Sequence, residues 1–227
     1  MRKQVSHRAV EAIQQKILSG EYRPGQSLPS QIELSAQLGV SRATLREALS
    51  MLETLGFLSI EPGRGTFVSS SNPTQSGSLS DWRYSRRYGE EAVFQTRLAL
   101  ECAIVAQAAA KIALPALEEL RAATREMREA WAENDLLRVA AADKHFHETI
   151  VENCGNPMMT DIYSGAKDII QETRVHPIPV TRMHRASESV GEHERIIDAL
   201  HRRDAKEAEA AMRDHIVKTA AAIGITL

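Results

Sequence analysis

Apolar residues recur at helical spacing along most of this 227-residue chain, and the exceptions mark its organisation. A polar amphipathic segment ends near Gly20, and Ser30 followed by Glu33 then forms a capping box that starts a short helix stopping at Gly39. Ile32, Leu34 and Leu38, with Val40 and Leu45 beyond the turn, are spaced to bury the inner faces of two steeply crossing helices. Ser41 caps the second, whose Leu45, Leu49, Leu52 and Leu55 form one apolar face. After Gly56 the period changes: Phe57 to Ile60 and Thr66 to Val68 read as two short strands around Pro62-Gly63-Arg64-Gly65, a wing on a helix-turn-helix.

From Ser69 to Ser78 the chain is small, polar and aperiodic, as a flexible linker is. Beyond it Ala, Leu, Glu and Arg dominate, with punctuation at Pro115, Asn134-Asp135, Gly155-Asn156-Pro157, His176 to Pro179 and Asp204. The spacing predicts helices near 91–112, 115–132, 135–153, 157–174, 186–202 and 205–222, with a short one around 79–88. The expectation is a mainly α protein: a winged helix-turn-helix domain at 1–70, a linker at 71–80, and an all-α bundle of six to seven helices at 81–227.

Charge separates the two parts. Residues 1–70 hold eight Lys and Arg against six Asp and Glu, whereas the remainder holds 20 against 24. Only the first part leans toward nucleic acid, so binding there must rest on placed arginines and a dimer, not a diffuse basic surface. Cys102 and Cys154 form no Cys-x-x-Cys unit, which points to reduced core or boundary thiols. The N-terminal segment lacks the apolar core of a signal peptide, and charges interrupt the Ala-rich run 98–114; a cytoplasmic location is expected.

Arg42, Thr44 and Arg46 fall in the first turn of the second helix, the end that meets base edges in helix-turn-helix proteins. The wing glycines allow close backbone approach, and Arg64 carries charge at the tip. Leu28-Pro29-Ser30, Val40 to Ala48 and Gly63 to Val68 together resemble the DNA-binding domain of the GntR family of bacterial transcription regulators. That resemblance implies operator contacts from Ser41, Arg42, Thr44, Arg46, Gly63, Arg64, Gly65 and Thr66. The family usually has Arg where this chain has Ile32, which implies a shifted operator sequence.

The second part carries its own chemistry. Asp143 and His147 lie about 40° apart around a helix at ~100° per residue, while His145 points away. His193 and His215 each lie roughly eleven residues from the turn at Arg203-Asp204, so they stand at equal height in an antiparallel hairpin. One carboxylate and three imidazoles suit a borderline divalent ion such as Zn²⁺ or Ni²⁺; the plainer reading is a local helix pair and two boundary histidines. Asp143 to His147, Gly155-Asn156-Pro157, Glu192 to Leu200, Asp204 and Met212 to Ile216 resemble the effector-binding (FCD) domain of the FadR-type branch of GntR regulators. The resemblance implies metal ligation by Asp143, His147, His193 and His215, with a small organic acid bound beside the metal and acyl-CoA disfavoured. It also implies that Arg97 faces the ligand cavity. Its guanidinium suits carboxylate capture, and equally a salt bridge to Glu101 one turn away.

The leading expectation is a ligand-responsive transcriptional regulator, a repressor, reading a near-palindromic operator as a homodimer. A metal-dependent hydrolase with an accessory DNA-binding domain is the alternative of another class, although no His-Glu-x-x-His motif supports it. A metal sensor is the third.

Overall fold

The computed structural model describes residues 2–70, 84 and 87–227, with side chains from Arg8 onward. The expected linker and most of the short helix expected at 79–88 lie outside them. The chain divides into two compact units, Met1–Asp81 and Trp82–Leu227.

In the first unit, α1 (Arg2–Leu18) packs on α3 (Arg42–Thr54) through Ala9, Val10, Ile13 and Ile17, with Leu45, Leu49 and Leu52 buried in the same core. Between them α2 (Gln31–Leu38) starts on the expected capping box: Ser30 N donates to Glu33 Oε2 at 3.0 Å and Glu33 N to Ser30 Oγ at 3.3 Å. Gly39, at φ 64°, supplies the left-handed turn into the next helix. Leu34 is buried but Ile32 is 65% exposed, which corrects its expected place in the core. Two positions apart on a helix means about 200°, so residues 32 and 34 cannot share one buried face.

The wing is an antiparallel pair, β1 (Leu58–Glu61) and β2 (Gly65–Val68), with Leu58 opposite Val68 and Glu61 opposite Gly65. An unforeseen partner lies along it. Leu28 N donates to Thr66 O at 2.8 Å and Val68 N to Gln26 O at 2.9 Å, so the segment before α2 pins the wing's second strand.

The second unit is all helical: α4 (Glu90–Lys111), α5 (Leu114–Ala132), α6 (Leu136–Glu152), α7 (Pro157–Val175), α8 (Met183–His201) and α9 (Ala205–Ala221). These are the six helices the spacing predicts. The largest boundary difference is at α8, which begins three residues early on Arg182, a cap without a side-chain hydrogen bond and hence without a start signal in the sequence.

Three junctions use one device. Asn134, Gly155 and Arg203 take positive φ (56°, 66° and 58°), and the next residue caps the following helix. Asp135, Asn156 and Asp204 accept from Arg138 N, Met159 N and Glu207 N respectively. Fully buried Ala108, Ala140, Ala199 and Ala208 let the helices approach closely, and Phe94, Phe146 and Ile196 fill the core. Among the described residues no helix is long and apolar enough to cross a membrane. Cys102 and Cys154 are buried and unpaired, and burial pushes the Cys102 thiol up to about 11.

Candidate functional site

In the first unit the candidate nucleic-acid face begins at the N-cap of α3. Ser41 Oγ accepts from Thr44 N at 3.1 Å, fixing the first turn from which Arg42 and Arg46 stand exposed on one side. Thr44 does not join them. It is 4% exposed and its hydroxyl meets Ser41 Oγ at 2.8 Å, because two residues along a helix carry it to the core side. Thr66 is likewise buried, on the inner side of β2's alternation. Neither hydroxyl is exposed in the way that the expected side-chain contact with DNA supposes. Gly63 and Gly65 lie exposed at the hairpin tip with φ of 77° and 131°. Arg64 between them pairs with Glu61 and lies 5.7 Å from the Phe67 ring centroid.

In the second unit, packing brings Asp143 and His147 of α6 against His193 of α8 and His215 of α9. One donor atom from each lies within 4.8 Å of all the others. Asp143 Oδ1 is 3.4 Å from His193 Nε2 and 3.8 Å from His147 Nε2. All three imidazoles are buried.

Each ring is oriented through its other nitrogen. His147 Nδ1 donates to Glu101 Oε2 at 2.9 Å, His215 Nδ1 to Glu192 Oε2 at 3.0 Å, and His193 Nδ1 to the Ser189 carbonyl at 2.7 Å. With Nδ1 holding the proton, the Nε2 lone pairs are left for another partner. His147 Nε2, His193 Nε2 and Asp143 Oδ2 are all buried without a hydrogen-bond partner in the structure. Unpartnered acceptors converging at such distances fit a divalent cation, whose N and O bonds are about 2.0–2.2 Å long.

The electrostatics prepare the same state. Burial, then the Arg174 charge, lowers His147 to about 3; burial, then His193, lowers His215 to about 4. Both are neutral near pH 7. Burial would raise the Asp143 carboxyl, but facing His147 and His193 hold it below the usual carboxylate range. Glu101 is also buried and is kept ionised by Arg174 and Arg97.

Beside this centre opens a cavity of about 50 Å³ whose lining includes Arg97, Asp143, Arg174, Arg185 and His215. Arg97 both lines this cavity and pairs with Glu101. Its Nε donates to Glu101 Oε1 at 2.8 Å and its Nη1 to Thr173 Oγ1 at 3.2 Å, while Nη2 is buried without a partner. Arg174 gave no sequence signal. Its Nη2 donates to Glu101 Oε2 at 2.7 Å and to Tyr163 at 2.8 Å. Arg185 makes a two-pronged pair with Glu192 at 3.0 and 2.9 Å, placing Glu192 between the cavity wall and His215. Trp131, too, was without a functional reading in the sequence and lines the wall.

A winged helix-turn-helix unit joined in one chain to a helical bundle with a polar, cavity-bearing centre defines a transcriptional regulator. Residues 5–68 match the gntR family of bacterial regulatory proteins and residues 92–218 match the FCD domain, so the chain belongs to the GntR family and carries an FCD domain. It is 30% identical over 220 residues to the HTH-type transcriptional repressor NanR of Cronobacter sakazakii, covering 95% of this chain and 84% of that protein. To the HTH-type transcriptional regulator LutR of Bacillus subtilis it is 29% identical over 207 residues, 88% of this chain and 92% of the other. The solved structure of Escherichia coli McbR/YncC shares the fold, with a TM-score of 0.58 at 17% identity over 96% and 95% of the two chains. The family and these relatives are regulators, and this protein is a regulator and not an enzyme; the hydrolase alternative falls.

Proposed function

We propose that this regulator is a ligand-responsive repressor that reads a near-palindromic operator as a homodimer. Each winged helix sets Arg42 and Arg46 into the major groove and the Gly63-Arg64-Gly65 tip against the adjacent backbone or minor groove. Asp143, His147, His193 and His215 hold a divalent ion, Zn²⁺ or Ni²⁺, and a small carboxylic acid binds between that ion and Arg97. The observation that carries this reading is the convergence of three buried, unpartnered acceptors beside a cavity lined by arginine, inside a chain that reads DNA. When bound, the ion supplies a Lewis-acidic anchor for one carboxylate oxygen. The residues do the rest: Glu101 and Glu192 orient two rings, and Arg97 offers its free Nη2 to the acid.

The effector changes operator affinity only through its unequal affinity for two arrangements of the protein, typically about 1–3 kcal/mol or 5- to 150-fold. The test is operator binding by fluorescence anisotropy, with metal-loaded and chelator-treated protein, across a panel of small carboxylic acids. An acid-dependent change confined to loaded protein supports the proposal. A switch driven by chelation alone makes the metal the signal, and indifference to both refutes it.

A further inference from the structure

We propose that the effector is a short dianion, a dicarboxylate of two to four carbons. This rests on reading the Asp143–histidine centre as a metal-anchored effector site, and goes further by fixing the charge and length of its ligand.

The first argument is charge. Around the cavity three guanidinium groups face three carboxylates. Arg97, Arg174 and Arg185 have side chains 0%, 3% and 19% exposed, and Glu101, Glu192 and Asp143 are 3%, 2% and 15% exposed. These formal charges cancel. Lys218 approaches Glu192 only to 3.7 Å, is 46% exposed and is matched by Asp214 at 2.9 Å, so it adds little inside. Histidines ligate as neutral rings. A divalent ion therefore leaves two positive charges in a buried setting, where an uncompensated charge is costly. A dianion closes that gap and a monoanion leaves half of it.

The second argument is the placement of donors. Arg97 Nη2 and Arg174 Nε are both buried, both without a hydrogen-bond partner, and both belong to residues lining the cavity. They offer acceptor oxygens a cationic site in addition to the metal-directed atoms of Asp143, His147 and His193, and a ligand with two carboxylates has oxygens for both. The third argument is size. A cavity of about 50 Å³, at roughly 10–15 Å³ per water-sized group, leaves room for a short ligand and none for a long chain. Its apolar wall of Met127, Trp131, Val139, Pro177 and Ile178 suits a short methylene spacer.

The experiment compares ligands of equal length and unequal charge on full-length, zinc-loaded protein: malonate against malonamate, and succinate against succinamate. Binding is read by Trp131 fluorescence in a Trp82→Phe background and by thermal shift, with bound zinc measured after each titration to register stripping. The expected result is at least tenfold tighter binding of each dianion than of its amide, with longer dicarboxylates such as adipate weaker again. The Arg97→Gln variant, with folding checked by circular dichroism, should narrow the preference at least threefold. Amides binding as tightly as the diacids, or a preference unchanged in Arg97→Gln, overturn the dianion while leaving an effector site in place. If neither diacids, amides nor simple monoacids such as acetate and lactate bind loaded protein, the effector reading itself is overturned.

Discussion

The two units put their functional groups in opposite surroundings. In the first, Arg42, Arg46 and Arg64 project into solvent from a helix start and a hairpin tip, each set by neighbours a few residues away. In the second, Arg97, Glu101, Arg174, Glu192 and three histidines are buried, and beside partners on their own helices they are tied between helices, Glu101 to Arg174 and Glu192 to His215. An exposed reader costs the fold little and is replaced freely in stability terms. A buried polar centre holds its geometry only while every charge is answered, so its mutations should act on folding as well as on binding.

The sharpest contrast should come from Glu101. Replacing it by Leu leaves Arg97 and Arg174 buried without their shared carboxylate and should cost about 3–5 kcal/mol in urea unfolding, whereas Arg46→Ala should stay within about 0.5 kcal/mol. Equal midpoints for the two would erase the distinction between the units.

Acid should separate them next. His147 and His215 titrate at about 3 and about 4 when folded but near 6.5 when unfolded. The unfolded chain thus takes up protons first as pH falls. Stability from these groups is complete above about pH 6.5 and is lost toward pH 4, at about 2 kcal/mol per histidine between pH 7 and 5. Urea midpoints of metal-free protein across that range should fall in the wild type and flatten in His147→Gln/His215→Gln. The described side chains of the first unit include no histidine to produce such a slope.

For the reader, Arg46→Ala should weaken specific operator binding by about 1–3 kcal/mol while bound metal, measured by mass spectrometry, stays constant. Retained operator affinity would remove Arg46 from the interface. The smallest effect is expected from Ile32→Arg, which restores a cation at an exposed position of α2. It should steepen the salt dependence of DNA binding by about one phosphate contact and leave the acid response untouched.

The same contrast governs what could be read from the sequence. Ser30 with Glu33, Gly39 and Ser41 announce the helix-turn-helix because caps and turns act over three or four residues. Asp143, His147, His193 and His215 were legible too, by helical period and by equal distance from the turn at Arg203-Asp204. What stayed hidden was direction and long-range partnership. Thr44 and Thr66 sit among exposed residues yet point inward, since adjacency along a chain does not fix the face. Arg174, Arg185 and Glu192 look like ordinary charges on helices; only the meeting of α4 with α7, and of α8 with α9, reveals that they are enclosed. The strand partner at residues 25–28 carries no apolar alternation, so only its backbone bonds to β2 disclose it.

The junctions of three or four residues that carry Asn134-Asp135, Gly155-Asn156 and Arg203-Asp204 bear on the order in which the bundle assembles. Each closes a pair of neighbouring helices across a minimal loop, so α5 with α6, α6 with α7 and α8 with α9 can form early as local hairpins. Arg97 and Glu101 reach Thr173 and Arg174 across 76 and 73 residues of chain. The charged interior is therefore complete only once α4 packs against α7, a long-range contact that the local hairpins do not supply.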